Sequence, residues 1–297
     1  MYNKERKEQF LKERKSNAEI SNNTESGFRS AEYYEKAYGK DLCEWTTVEI
    51  LGYLKYYGSS KIQSLVNLKS AFQIYTNWCI KNNLVPDNQN HYMEISTEDL
   101  CRCLDLKKLS RLVVSREKLL ESINMIQNYS DRFIILGIFE GISTKKQTLA
   151  RITYSQVQGN EIITPEKTYK ISDDLLRIIL VSKMEDVRII GGDNPDEPYI
   201  ESDCIVRPTI RANAQKNLSI LIGTRFRRSL REMNFPPEIT QRDIAESGRL
   251  EFLKEKMNET GLTLGEVMRK FREEHEGLYG KIQNYSAYEA TYGSLIR

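Results

Sequence analysis

Histidine is almost missing from this chain. His91 and His275 are the only two, which excludes a histidine-rich metal centre. His91 sits in a polar loop, D-N-Q-N-H-Y, and reads as solvated. His275 follows Glu273-Glu274 near a helix end, where a cation is favourable. The five cysteines, Cys43, Cys79, Cys101, Cys103 and Cys204, are odd in number and irregularly spaced. Cys101 and Cys103 form C-x-C rather than the C-x-x-C of a zinc or redox site, so reduced thiols are expected. No apolar run approaches the roughly 20 residues needed to span a bilayer. No glycine-rich phosphate loop and no G-x-S-x-G elbow occurs. The expectation is therefore a protein with no cofactor and no metal. The opening M-Y-N-K-E-R-K-E is charged and lacks the apolar centre of a signal peptide, which points to the cytoplasm.

One further absence is local. Arg207 to Arg231 (R-P-T-I-R-A-N-A-Q-K-N-L-S-I-L-I-G-T-R-F-R-R-S-L-R) contains no acid. It carries Arg207, Arg211, Lys216, Arg225, Arg227, Arg228 and Arg231, whereas the whole chain has a net charge of only +2. Segregated positive charge suits a polyanion. Leu218, Ile220, Leu221, Ile222, Phe226 and Leu230 run through the same stretch, so the arginines are expected to project from a packed scaffold. The alternative is a basic helix paired with acids from elsewhere.

At 297 residues, with 39% hydrophobic and 29% charged residues, the chain is long enough for two domains. Residues 1–26 read as a basic N-terminal arm in which only Phe10 and Leu11 could dock, with Ser21 to Gly27 as a linker. Residues 27–108 read as a helical domain. Thr46 and Glu49 form a capping box and Gly58 closes that helix. Ser60 to Asn82 is the longest clear helix, with Ile62, Leu65, Leu68, Phe72, Tyr75 and Cys79 on one side. Its other side carries Gln63, Asn67, Ser70, Asn77 and Lys81 and almost no acid, which suits a phosphate backbone. Trp45 and Trp78 read as core. A short helix, Glu98 to Leu104, follows.

Leu106 to Val114 reads as the joint to a second domain, 109–297. Ser115 caps its first helix. Phe133 to Phe139 is apolar nearly all round, hence buried, and ends at Gly141. Ile152 to Tyr154 and Glu161 to Thr164 flank Gly159-Asn160, a hairpin signal, and Thr168 to Ile171 is a third strand. Ser172 caps a helix with Asp173 and Asp174 in its first turn. Gly191 to Pro198 is a loop, Thr263 and Glu266 form another capping box, and Tyr279, Tyr285, Tyr288 and Tyr292 crowd the tail. The fold class is mainly α with a small antiparallel sheet.

This order of elements resembles the tyrosine recombinase (phage integrase) family over roughly residues 28 to 292. T-T-V-E-I-L-G-Y-L-K-Y-Y and the stretch through Asn77 to Asn83 resemble its helical core-binding domain. The capped helix, the buried helix ending in E-G-I, the small sheet and the helix opened by S-D-D-L resemble its α+β catalytic domain. The family cleaves DNA with a tyrosine nucleophile, and two arginines, a histidine and a hairpin lysine stabilise the charge that develops on the phosphate. Removing one such donor costs about 3 kcal/mol. The first arginine belongs in G-[LI]-R-x-x-E, and here its place falls on Ser143 when counted forward from Gly141, or on Lys145, with Thr148 at the glutamate, when counted backward from Tyr154. The hairpin lysine falls on Lys167 or Lys170. The box H-x-L-R matches Thr224-Arg225-Phe226-Arg227, so Arg227 stands and Thr224 replaces the histidine. The box L-G-H can be laid on Gly277-Leu278-Tyr279, which puts Tyr288 at the nucleophile.

The resemblance thus implies a DNA clamp without the cleavage chemistry, in which Arg227 and Tyr288 are vestigial positions and no catalytic residue remains. Inactivated integrase-like proteins of this build are similar to the repressors that hold SPβ-group prophages dormant. The expected function is a non-enzymatic, sequence-specific transcription regulator in the host nucleoid, bound to double-stranded operator DNA. A homo-oligomer on DNA and an antirepressor or peptide-linked regulator are its expected companions. Arg207, Arg211, Lys216, Arg225, Arg227 and Arg228 are expected to contact DNA from the second domain, with Lys145, Lys146 and Lys167 as further phosphate contacts. Gln63, Asn67, Ser70, Asn77 and Lys81 are expected to do so from the first, where Gln and Asn suit adenine edges. Two readings compete. In one, Tyr288 or Tyr292 attacks and Lys145 substitutes for the arginine, giving an active recombinase. In the other, the arginines pair with an acidic protein partner.

Overall fold

The computed structural model describes residues 1–14, 22–142, 148–191, 195–209 and 218–296. Among them the chain is mainly helical, with a small antiparallel sheet. The helices are α1 (Lys4–Arg14), α2 (Asn22–Tyr38), α3 (Thr47–Tyr57), α4 (Ile62–Lys81), α5 (Thr97–Arg102), α6 (Leu106–Leu112), α7 (Arg116–Ile123) and α8 (Tyr129–Phe139). They continue as α9 (Thr148–Arg151), α10 (Asp173–Ser182), α11 (Leu218–Glu232), α12 (Gln241–Thr260), α13 (Leu264–Lys270), α14 (Arg272–Tyr279) and α15 (Tyr285–Ile296). Strands β1 (Val157–Gln158), β2 (Glu161–Ile163) and β3 (Thr168–Lys170) form a meander, and β4 (Val187–Arg188) pairs with β5 (Glu197–Pro198).

Two compact units result. One holds Met1–Ser110 together with Ser286–Ser294, the other Arg111–Tyr285 together with Leu295–Arg297. The division falls within α6, the stretch whose sequence reads as a joint. Residues 286–294 count with the first unit, although the sequence reading assigns the whole tail to the second.

In the first unit the aromatic residues make the core. Phe10, Phe28, Trp45, Tyr53, Phe72, Tyr75 and Tyr92 are all buried. Phe10 meets Phe28, Tyr75 and Trp78 edge-on at ring-centroid distances of 6.0, 5.1 and 5.7 Å. Such pairs add about 0.5–1.5 kcal/mol each beyond the area they bury. Both halves of the capping box at Thr46 and Glu49 form, and Gly58 closes α3 at φ 64°. Three-and-four spacing makes α4 two-sided, so Leu65, Leu68, Phe72, Tyr75 and Cys79 face inward.

Of the arm expected at residues 1–26, α1 instead docks on this core, and residues 15–21 lie outside the described residues. Lys7 and Phe10 of α1 are fully buried. The Lys7 ammonium donates to both carboxylate oxygens of Glu35 at 2.5 Å, and Glu35 also accepts from the Leu42 N–H at 2.9 Å. Composition misleads because one buried ion pair and one aromatic ring suffice to dock an otherwise polar helix. The expected linker is also helical, since Asn22 to Gly27 form the first turns of α2. Gly27 lets α2 lie close on α4, since a Cβ there would lie 2.8 Å from a Leu68 methyl carbon and 3.1 Å from the Phe72 ring, and those side chains would have to shift.

Burial raises the Glu35 carboxyl to about 7, although Lys7 pulls it down. The folded value lies above the ordinary 4.5, so the stability from the protonated form is complete below that value and is lost as pH rises through about 7. Glu35→Gln is expected to flatten the stability curve between pH 5 and 7.5 by about 2 kcal/mol relative to the parent chain. Urea midpoints at the two pH values measure this. Parallel curves for parent and variant would contradict it.

In the second unit α8 is the hub, packed against α10, α11 and α12. Its residues Phe133 to Phe139 are all buried, as their apolar run requires. Gly141 follows at φ 87°. Gly248 lets α12 cross α8 at backbone contact, since a Cβ there would lie 1.7 Å from the Phe139 carbonyl oxygen. Glu140 joins the end of α8 to the start of α10, accepting from Ser172 N at 3.0 Å and from Arg116 at 3.1 Å. The hairpin turns at Gly159, φ 58°, and places Val157 opposite Ile162. Ile152 to Tyr154 is no strand. Thr153 makes one bridge, to Cys204, and Tyr154–Gln156 is a 3-10 turn. The expected loop at Gly191 to Pro198 contributes β5, which two residues of pairing gave no sequence pattern to reveal.

Candidate nucleic-acid interface

The outer side of α4 is a single stripe. Gln63, Asn67, Ser70, Asn77 and Lys81 are all exposed, and their spacing of three, four and seven keeps them in line. Ile74 is 37% exposed and completes the line between Ser70 and Asn77, an apolar member the sequence reading passed over. The stripe spans roughly 27 Å at 1.5 Å per residue. No acidic residue occurs in α4. Gln63 donates to the Asn67 side-chain oxygen at 2.8 Å, and Asn90 donates to that of Asn77 at 2.7 Å. These contacts restrain the amides before any ligand arrives. Lys69 lies off the stripe and reaches the Ile95 carbonyl at 2.8 Å.

The second unit distributes its arginines differently from the expectation. Arg225 is buried, 2% exposed, and does not reach the surface. It donates to the Arg207 carbonyl at 2.6 Å and faces Asp131 at 3.5 Å. Arg188 donates to the same carboxylate at 2.8 Å. Burial lowers the pKa of Arg225 and Asp131 pulls it back up. Arg207 is half-buried, donating to the Ser182 carbonyl at 2.7 Å and to that of Glu185, with its guanidinium 4.4 Å from the Tyr199 ring centroid. Arg228 donates to Glu232 at 2.6 Å and to the Ile189 carbonyl at 3.0 Å. Three of the expected DNA contacts are thus internal ties. Their charge was visible in the sequence, but Asp131, which answers Arg225, lies some 90 residues earlier, in the first turn of a helix that is apolar from Phe133 onward.

Among the described side chains of α11, Ile220, Thr224, Arg227 and Arg231 face outward, again one stripe at steps of four and three. Arg227 and Arg231 therefore carry the surface charge of this helix. Lys167, in the turn between β2 and β3, is half-buried. Its ammonium donates to the Gly277 carbonyl at 2.8 Å and lies 4.8 Å from the Tyr169 ring centroid, and burial lowers its pKa. Lys145, Lys146, Arg211 and Lys216 lie outside the described residues.

Of the positions laid on the recombinase pattern, the described parts of the first and third boxes meet, since a Cβ on Gly141 would lie 2.8 Å from Leu278 and 3.2 Å from Tyr279. Thr224 and Arg227 are exposed on α11. Tyr279 is half-buried; its hydroxyl donates to the Phe139 carbonyl at 3.0 Å and burial raises its pKa. Tyr288 is 8% exposed, counts with the first unit, and has its ring 4.7 Å from that of Tyr292. Among the described residues no group of three or more His, Cys, Asp or Glu is arranged to hold a metal ion. No helix among them is long and apolar enough to cross a membrane.

The family-model comparison bears on the first unit. Residues 1–81 match the family model described as MrpR, N-terminal core-binding domain. That span includes α1, so the family unit agrees with the docking of this helix into the aromatic core. The chain is also similar to the SPbeta prophage-derived uncharacterized protein YopR of Bacillus subtilis (strain 168), with 28% identity over 169 residues. The match covers 53% of this chain and 51% of that protein, about half the length of each.

Proposed function

We propose that this protein is a phage-related, sequence-specific DNA-binding regulator that acts by occupying operator DNA. The observation that carries this reading is the acid-free stripe of Gln63, Asn67, Ser70, Asn77 and Lys81, which lies within the segment matched to a core-binding domain. Amide side chains on one face of a long helix suit adenine edges in a major groove, and Lys81 suits the flanking phosphate. Arg227 and Arg231 add phosphate contacts from the second unit. The prophage origin of the similar protein supports the setting in which a repressor would work.

The same reading assigns the protein no strand cleavage. The family's first arginine falls on Ser143 or Lys145 and its histidine on Thr224. Tyr279 has its hydroxyl committed to a carbonyl. Tyr288 is packed against Tyr292 in the first unit. An arginine and both histidines are lacking, and a lysine does not reproduce the fork that grips two phosphate oxygens. A suicide DNA substrate should yield no covalent adduct, and an adduct lost in Tyr288→Phe would reverse this assignment.

Electrophoretic shift of phage operator fragments tests the binding. At about 150 mM salt, where non-specific binding is weak, the operator should shift well before random duplex. Asn67→Ala is expected to narrow that gap by about tenfold, whereas Arg227→Ala should weaken both duplexes alike and reduce the salt slope by about 1. Equal affinity for operator and random duplex, or two variants that bind as the parent does, would remove the proposal.

A further inference from the structure

The second unit contains a cavity of about 670 Å³ between the end of α8, the first half of α12 and the end of α14. The DNA-binding reading does not use it. Its walls are apolar where Ile138, Ile142, Ala245 and Leu278 line it. Arg249, 5% exposed, also lines it. The Arg249 guanidinium donates to the Gly280 carbonyl at 2.7 Å and faces Glu246 at 3.6 Å. Arg242 and Lys281 also line the cavity. Both are exposed and make no ion pair among the described residues.

Two acids line the same space, Glu246 and Glu276. Glu246 answers Arg249. Glu276 is committed elsewhere, accepting from the Tyr285 hydroxyl at 2.9 Å and the Ile282 N–H at 3.2 Å and pairing with Arg272 at 3.3 Å. The lining thus holds three cations against two acids, and both acids already have partners. The volume lies within the roughly 300–1,000 Å³ of small-molecule sites, which combine apolar walls with a few placed polar groups.

From this combination we infer that the cavity binds a small amphiphilic carboxylate, with its apolar body against Ile138, Ile142 and Leu278 and its carboxylate toward Arg242 and Lys281. A planar guanidinium matches a carboxylate with two parallel hydrogen bonds. The apolar walls explain why a bare inorganic anion is the poorer ligand. None of the lining residues lies on the α4 or α11 stripes that carry the proposed DNA contacts, although Gly141-Ile142 and Gly277-Leu278-Tyr279 are the segments laid on the first and third recombinase boxes.

Calorimetric titration of the full chain with acetyl-leucyl-alanyl-leucine, its C-terminal amide and inorganic phosphate tests the site. The free acid should bind at least about tenfold more tightly than the amide, the difference of one charge-assisted contact. It should also bind more tightly than phosphate. The double variant Arg242→Gln, Lys281→Gln alters only exposed side chains and should lose most of that preference. Absence of binding by the acid, equal binding of the amide or phosphate, or a double variant that keeps the preference would each overturn the inference.

Discussion

Gly248→Ala is expected to destabilise the second unit by about 3 kcal/mol or more, at or beyond the usual overpacking cost. The added methyl would lie 1.7 Å from the Phe139 carbonyl oxygen and 2.7 Å from its carbon. Backbone cannot rotate aside as a flexible side chain can, so α12 must move off α8. That shift would loosen the contacts of the most buried helix in the unit. Gly223→Ala supplies the control. Gly223 lies within α11 and a Cβ there meets nothing within 4 Å, so alanine should raise stability by about 0.5–1 kcal/mol through helix propensity. Urea unfolding of both variants reads the contrast. Equal effects of the two substitutions would show that α12 does not press on α8.

Asp131→Ala should be comparably severe, at about 3–5 kcal/mol, because it leaves buried charge without its counter-ion. Arg188 and Arg225 both point at this one carboxylate, at 2.8 and 3.5 Å, and both have little contact with water. Arg225→Met should cost less than Asp131→Ala, since Asp131 then keeps Arg188 and no second cation is stranded. Arg227→Ala should change stability by no more than about 0.5 kcal/mol, as expected for an exposed position. This ordering separates the arginines that hold the fold together from those available to a ligand. If Arg227→Ala were as damaging as Asp131→Ala, the division of α11 into an inner and an outer face would be wrong.

Much of the fold was legible because it depends on local rules. Spacing of three and four defined α4 almost to its ends, side-chain caps marked α3, α7, α10 and α13, and Gly159-Asn160 located the hairpin. What escaped depends on distant partners. Lys7 looks like any surface lysine until Glu35 is placed beside it. The run of basic residues around Arg225 looks like one charged face until the helix is turned to bury Phe226, Leu230 and Arg225 itself. Net charge in a segment says how many cations are present, whereas helix phase and distant acids decide which of them meet solvent. The polar stripe of α4 was readable for the opposite reason, since a helix without acids shows its polar face in the helical period alone.

Operator occupancy without cleavage is tested most directly by recovery of the DNA fragments bound to the protein inside the cell. The expected result is a set of fragments sharing one sequence element, released by detergent and protease-free washing because no covalent bond exists, and depleted when Gln63, Asn67 and Asn77 are replaced together by alanine. Fragments without a common element, or fragments that stay joined to the chain after denaturation, would contradict it.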